Sequence, residues 1–182
     1  MRLSVRVPAN SAPWPEARLA AVAAVLRVVA EPELLFIKRA EAAHDPWSGH
    51  VAFPGGRMEA SDESLQATAI RETNEELSLD LTAGQILGRL DDLAPRSPVL
   101  PPIIIRPFVA LVAPDVELQL NREVASAFWV PLSEFRDPKA QVEHEVTRQG
   151  ASMRFPAFLV RQHIVWGLTE RIVSQLLPLF DE

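Results

Sequence analysis

The stretch Gly55-Gly56-Arg57-Met58-Glu59-Ala60-Ser61-Asp62-Glu63 runs on into Ala69-Ile70-Arg71-Glu72-Thr73-Asn74-Glu75-Glu76-Leu77, and its reading decides the fold. Ser61 and Asp62 are good N-cap residues, so the pattern predicts a helix over 62–78. At about 100° per residue, Glu72, Glu75 and Glu76 stand at i, i+3 and i+4 and share one exposed side. Ile70, Thr73 and Leu77 fall roughly opposite, ready to pack on a sheet. Three stacked carboxylates repel one another unless something positive lies among them. An oxygen-rich group of this kind suits Mg2+ or Mn2+ shared with substrate phosphates. Gly55-Gly56, just ahead, lets the backbone turn tightly and approach a ligand. For the three glutamates alone, a solvated acidic face with Arg71 as partner is the plain alternative. The preceding Phe53-Pro54-Gly55-Gly56 turn and Arg71 directly before Glu72 weigh against it. An R-E-x-x-E-E string arises by chance in on the order of one such chain in a few hundred.

Upstream of this helix, 20–29 and 34–37 are apolar stretches separated by Glu31-Pro32-Glu33, which predicts a hairpin over 17–39. The Ala-rich run 19–26 also admits an opening helical turn. A loop over 40–48 leads to a short strand at 50–53 that stops at Pro54-Gly55-Gly56. Downstream, 85–90, 103–112 and 128–130 read as strands, with a Pro-rich loop over 94–102 and a short helix entered at Pro131-Leu132-Ser133. Val165, Leu168, Ile172 and Leu176 form a helical stripe that predicts a last helix over 165–177, ended by Pro178. Residues 1–16, with Pro8, Pro13 and Pro15, read as an extended N-terminal arm, and 17–182 as one α+β domain.

Composition agrees with this outline. The chain has 182 residues, 48% hydrophobic and 23% charged, enough for one domain with a sizeable core and too apolar for a disordered chain. Its formal net charge of −6 argues against non-specific binding to nucleic acid or an anionic membrane surface. No cysteine is present, which excludes disulfides, thiolate metal sites and a cysteine nucleophile. The four histidines form no H-x-x-x-H pair, so any metal is held by oxygen. No apolar run is long enough to span a bilayer and no signal-peptide order is visible; the expected location is the cytoplasm.

The segment from Gly56 to Leu79 resembles the Nudix box, G-x5-E-x7-R-E-U-x-E-E-x-G-U, of the Nudix hydrolases. Arg71, Glu72, Glu75 and Glu76 match by position, and Glu63 matches counting back from Arg71. The gap from Gly56 is one residue longer than usual, so counting forward puts Asp62 in that acidic place; Thr73 replaces an aliphatic residue and Ser78 the glycine. The resemblance implies a mixed sheet between helices and hydrolysis of a nucleoside diphosphate derivative with Mg2+ or Mn2+. Carried over, Glu72, Glu75 and Glu76 would hold the cation, with the Gly56 carbonyl as a further ligand, and Glu63 with Arg71 would brace loop against helix. Glu123 is the candidate late glutamate, completing the metal site or acting as base. The resemblance also allows a homodimer, though no stretch marks an interface.

Further likeness extends along the chain. Leu34-Leu35-Phe36-Ile37-Lys38-Arg39-Ala40 with Gly49-His50-Val51-Ala52-Phe53-Pro54-Gly55-Gly56 resembles the signature of the coenzyme A diphosphatase branch. Residues 123–132 resemble that branch's E-V-x-x-x-F-x-x-P-L segment, and Trp166-Gly167-Leu168-Thr169 its W-G-x-T. His44 stands where the signature has a second arginine, and the loop to Gly49 is one residue longer. The implied substrate is coenzyme A or an acyl derivative, cleaved to 3′,5′-ADP and a phosphopantetheine. NADH, ADP-ribose, dinucleotides and nucleoside triphosphates are the alternatives within the family, and a non-catalytic sensor the alternative outside it. Arg39 and Arg57 are candidate anion contacts, with Arg96 able to compensate for His44, and Trp47 is a candidate stacking residue.

Overall fold

The computed structural model describes residues 8–11, 17–43, 47–82, 85–95, 102–148 and 150–181. His44, Asp45, Pro46, Arg96 and most of the expected N-terminal arm lie outside them. The hairpin forms as expected from β1 (Arg18–Val28) and β2 (Pro32–Arg39), antiparallel with Leu26 opposite Leu34. The helical opening does not form. β1 is a central strand, parallel to β6 (Ile103–Leu111) along its length, and Ala20, Ala21, Ala23 and Ala24 are buried on both of its faces. Alanine there lets layers approach from either side, and a strand buried on both faces reads as a continuous apolar run.

The main sheet runs β3 (Val51–Ala52), β2, β1, β6, β5 (Ile86–Arg89), with β4 (Gly55–Arg57) on β1 and β7 (Val124–Pro131) on β2. The Pro54-Gly55-Gly56 segment therefore continues the sheet where a stop was expected: Gly55 lies opposite Val22 and Gly56 opposite Ala21. Helix α1 (Leu65–Leu77) covers one face, where Leu77 packs with Val25, Leu35, Ile37 and Val124. The other face is covered by α2 (Leu132–Arg136) and α3 (Gly167–Leu176), whose Phe135, Ile172, Val173 and Leu176 meet Leu26, Phe36, Phe53 and Ile105. The result is an α+β fold with a mixed sheet between helices, as expected.

Two expectations are corrected. Helix α1 begins at Leu65 instead of residue 62, because Ser64 is the N-cap: its Oγ accepts the Ala67 N–H at 3.1 Å. Residues 141–166, without a strong sequence signal, form a second sheet of β8 (Gln141–Arg148), β9 (Ala151–Val160) and β10 (His163–Trp166). That sheet takes in Val165, so the last helix starts at Gly167, whose φ of +66° makes the turn. Among the described residues, no helix is long and apolar enough to cross a membrane.

Candidate active site

The helix α1 and strand β4 meet residue by residue. At the first contact, Gly55 N–H donates to Glu76 Oε2 at 3.0 Å. Gly55 has φ +150°, and a Cβ there would strike the Ala21 carbonyl oxygen, so only glycine fits. At the second, Gly56 lies so close to the Glu72 carboxylate that a Cβ would overlap it. At the third, the Arg57 carbonyl accepts from Arg71 Nη2 at 3.0 Å.

Glu76 does not sit on an exposed face as the helical wheel suggests: the residue is 2% exposed. The β4 turn folds over it, and Arg39 Nη1 approaches Oε1 at only 3.9 Å. Burial pushes its carboxyl up to about 7, against the Gly55 N–H and Arg39, with Glu72 and Glu123 adding to the rise. Glu72, with 17% of its side chain exposed, is also raised, first by burial and then by Glu75 and Glu123, in opposition to Arg71. Glu75 is the solvent-facing member, its side chain 53% exposed.

Glu123 is exposed and reaches the group from the opposite side of the sheet order. The Asn121 N–H donates to the Glu76 carbonyl at 3.0 Å and the Gln119 N–H to the Leu77 carbonyl at 2.9 Å, so this loop closes the end of α1. The Ala40 N–H then donates to the Glu123 carbonyl at 2.8 Å, beside a register shift at Lys38/Arg39. These bonds hold Glu123 and Arg39 next to one another at the end of α1.

The expected brace between Glu63 and Arg71 is not the one formed. Arg71 is paired in a fork with Asp62, Nε to Oδ1 and Nη2 to Oδ2, both at 2.9 Å, while Glu63 is exposed. Asp62 is 5% exposed along its side chain and also accepts from Thr68 Oγ1 and the Glu59 N–H, both at 2.9 Å. The Arg71 guanidinium holds its carboxyl far below the usual carboxylate range. The extra residue between Gly56 and Arg71 moves the bracing carboxylate one place toward the glycines. The other fork of Arg71 spans Glu72 and Glu75, Nη1 lying 3.1 Å and 3.2 Å from them.

Comparison with known proteins identifies this constellation. The family model described as NUDIX domain matches residues 17–150. The chain belongs to the Nudix hydrolases. It is 36% identical over 156 residues to the protein named uncharacterized Nudix hydrolase NudL of Photorhabdus laumondii, covering 85% of this chain and 81% of that one. A protein of the same name from Yersinia pestis is 33% identical over 147 residues, covering 80% and 71%. The fold resembles that of a MutT/nudix family protein from Enterococcus faecalis, with a TM-score of 0.64 at 16% identity, over 94% of this chain. This chain spans 65% of that protein, a little under two thirds. It also resembles the Nudix domain of Shewanella oneidensis NrtR, solved with ADP-ribose, with a TM-score of 0.55 at 21% identity, covering 66% and 76%.

Within this Nudix site, the departures from the box have structural places. Thr73 is buried and donates its Oγ1 proton to the Ala69 carbonyl at 2.7 Å, so its hydroxyl costs no unsatisfied group. Ser78, in place of glycine, is the left-handed C-cap of α1 with φ 52°. Of the candidate substrate contacts, Arg39 belongs to the carboxylate group. Arg57 is exposed beside a cleft of about 420 Å3 that Arg18, Leu19 and Met58 also line. Trp47 is half-buried, and its carbonyl accepts the His50 N–H at 3.1 Å. Of the two acidic residues that the spacing leaves open, Glu63 counted back from Arg71 and Asp62 counted forward from Gly56, the structure pairs Asp62 with Arg71. β9, β10 and α3 lie beyond the matched segment.

Proposed function

We propose that this Nudix hydrolase is a divalent-cation-dependent diphosphatase of coenzyme A or its acyl derivatives. The observation that carries the chemistry is the buried Glu76 carboxylate, held between the Gly55 N–H and Arg39 and surrounded by the charges of Glu72 and Glu123. The donors are all oxygen, which suits Mg2+ or Mn2+, and burial leaves their negative charge under-compensated. Among the described residues no three such side chains are already gathered as a closed ligand set. The fit therefore rests on donor type and charge. Glu72, Glu75, Glu76 and the Gly56 carbonyl would hold the cation, which when bound neutralises the diphosphate and lowers the pKa of an attacking water.

The chain's own groups do the rest. Gly55 and Gly56, lacking side chains, let β4 lie directly against β1 and the Glu72 carboxylate, which brings the Gly56 backbone up to the carboxylate group. Arg71, forked between Asp62 and the Glu72–Glu75 side, keeps α1 and the β4 loop in register. Water attack on phosphorus breaks the P–O–P anhydride and releases two phosphate monoesters, and a carboxylate must take the proton. Glu123 suits this role: it is exposed at the start of β7 and within electrostatic reach of Glu72 and Glu76.

The substrate reading rests on the segment that resembles the coenzyme A signature. It contributes to β2, β3 and β4, supplies the Gly55 N–H that donates to the Glu76 carboxylate and places Arg39 3.9 Å from it. A product assay with Mg2+ or Mn2+ over coenzyme A, acetyl-coenzyme A, NADH, ADP-ribose, a diadenosine polyphosphate and dGTP tests it. Release of 3′,5′-ADP and phosphopantetheine faster than any other reaction supports the reading. Preference for another substrate overturns the coenzyme A assignment and moves specificity to residues 45–48.

A further inference from the structure

We propose that the ring cluster centred on Trp166 is the seat of the purine base of the substrate, an inference that rests on the nucleoside diphosphate class assigned above. The Trp166 indole lies 5.1 Å from the His50 ring, 4.9 Å from the His144 ring and 5.8 Å from the Phe155 ring, centroid to centroid and all tilted. All four side chains are half-buried. The molecule's packing rings are different: Phe36, Phe53, Phe135 and Phe158 are buried hydrocarbon inside the core. A cluster that pairs indole and imidazole edges and keeps part of each ring at the surface offers stacking area with polar edges beside it. That combination is what a heterocyclic base requires.

The cluster adjoins the carboxylate group through Arg39. The Arg39 N–H donates to the His50 carbonyl at 3.0 Å, and the Arg39 side chain extends to Glu76. Paired residues on neighbouring strands stand about 5 Å apart, so His50 is separated from the carboxylate group by one strand spacing and one arginine. The cluster is also held to the site mechanically. Thr169 Oγ1, at the start of α3, donates to the Val51 carbonyl at 3.0 Å in a buried bond, fixing β10 and its Trp166 against the strand that leads to Gly55. The sheet β8–β9–β10 supplies His144, Phe155 and Trp166 and lies mostly beyond the segment matched to the family. The proposed base seat joins His50 and His144, inside the matched segment, to Phe155 and Trp166 beyond it.

The test is calorimetric titration of the full chain with ADP, which carries the base, and with inorganic diphosphate, which does not, each with Mg2+. Stacking of one base is worth about tenfold or more in affinity, so wild type is expected to bind ADP at least tenfold more tightly than diphosphate. Trp166→Leu and His144→Ala are expected to lose most of that preference while holding diphosphate as wild type does, and Trp166→Phe to keep it. His144 lies on β8 at the sheet edge, so its variant tests the proposal even where Trp166→Leu fails to fold. ADP binding by both variants equal to wild type overturns the assignment, as does a wild type with no preference for ADP or no binding of it. Failure of the diphosphatase reading is a separate result: ADP preference intact, with none of the substrate panel hydrolysed.

Discussion

Replacing Glu76 with Gln should stabilise the metal-free protein while abolishing turnover. The two effects come from the same cause. A carboxyl raised from its ordinary 4.5 to about 7 by burial, at 1.36 kcal/mol for each pKa unit, opposes folding by about 3 kcal/mol when fully ionised. The sign follows from the direction of the shift. The folded state prefers the protonated acid, so the penalty is absent below pH 4.5, grows as pH rises from 4.5 to about 7, and is complete above that. Gln has nearly the same shape, and its amide oxygen still accepts from Gly55 N–H, but it carries no charge to desolvate. For a chain of this size 1 kcal/mol moves Tm by about 2–4 °C, which predicts a rise of about 6–12 °C at pH 8.5 in EDTA. The gain should shrink steadily below pH 7 and vanish near pH 4.5, where wild type is itself protonated. Adding Mg2+ should raise wild-type Tm more than that of the variant, since only wild type offers the buried charge. A Glu76→Gln protein that is less stable than wild type at pH 8.5 in EDTA, or a difference that does not change with pH, refutes the reasoning. Wild-type turnover in saturating Mg2+ refutes the site.

Five other substitutions test the arrangement around α1. Asp62→Asn removes the charge-assisted fork on Arg71 and should cost about 2–3 kcal/mol in urea unfolding, whereas Glu63→Gln, on an exposed side chain, should stay within about 0.5 kcal/mol. Ser78→Gly relieves a left-handed C-cap at φ 52° and should raise the urea midpoint by the equivalent of about 1 kcal/mol with unchanged activity. Gly56→Ala pushes a methyl into the Glu72 carboxylate and should cut turnover at least tenfold, about 1.4 kcal/mol, while circular dichroism reports a folded chain; Gly55→Ala, blocked by the backbone of Ala21 and by φ +150°, should not fold.

The parts of the fold that could be read from sequence are those whose signal is local. The hairpin is announced by Glu31-Pro32-Glu33 between two apolar runs, and α1 by Ile70, Thr73 and Leu77 opposite the carboxylates, of which Thr73 and Leu77 are buried and Ile70 half-buried. The second sheet is silent for two physical reasons. β8 reads Gln-Val-Glu-His-Glu-Val-Thr-Arg, with little apolar content, and Pro156 lies in β9, its middle strand. At the site, the residue types were legible and their environments were not. The helical wheel places Glu72, Glu75 and Glu76 together, yet it cannot know that β4 folds across one edge of the helix. That crossing buries Glu76 and leaves Glu75 in solvent. Motif spacing likewise leaves Asp62 and Glu63 as alternatives, and the choice is made by which side chain points under α1 toward Arg71.

Under the proposed function, the distribution of positive charge around the box is the reason this site would take a cation. Arg71 is committed to Asp62 on one fork and to the Glu72–Glu75 side on the other, so its charge faces the bracing end of the helix. At the opposite end, the guanidinium of Arg39 stands 3.9 Å from the Glu76 carboxylate, beyond hydrogen-bond range. A diphosphate brought there without a counter-charge is repelled by Glu72 and Glu76, whose carboxyls are already raised, chiefly by burial and further by the neighbouring carboxylates. Strengthening Arg39 would answer that repulsion, but it would also hold Glu76 ionised and occupied. Keeping the arginine at a distance leaves the carboxylate oxygens able to ligate, at a cost of about 3 kcal/mol to the metal-free fold. The same buried charge that weakens the empty protein is thus what, under the proposed function, would give a divalent cation its differential hold on the folded site.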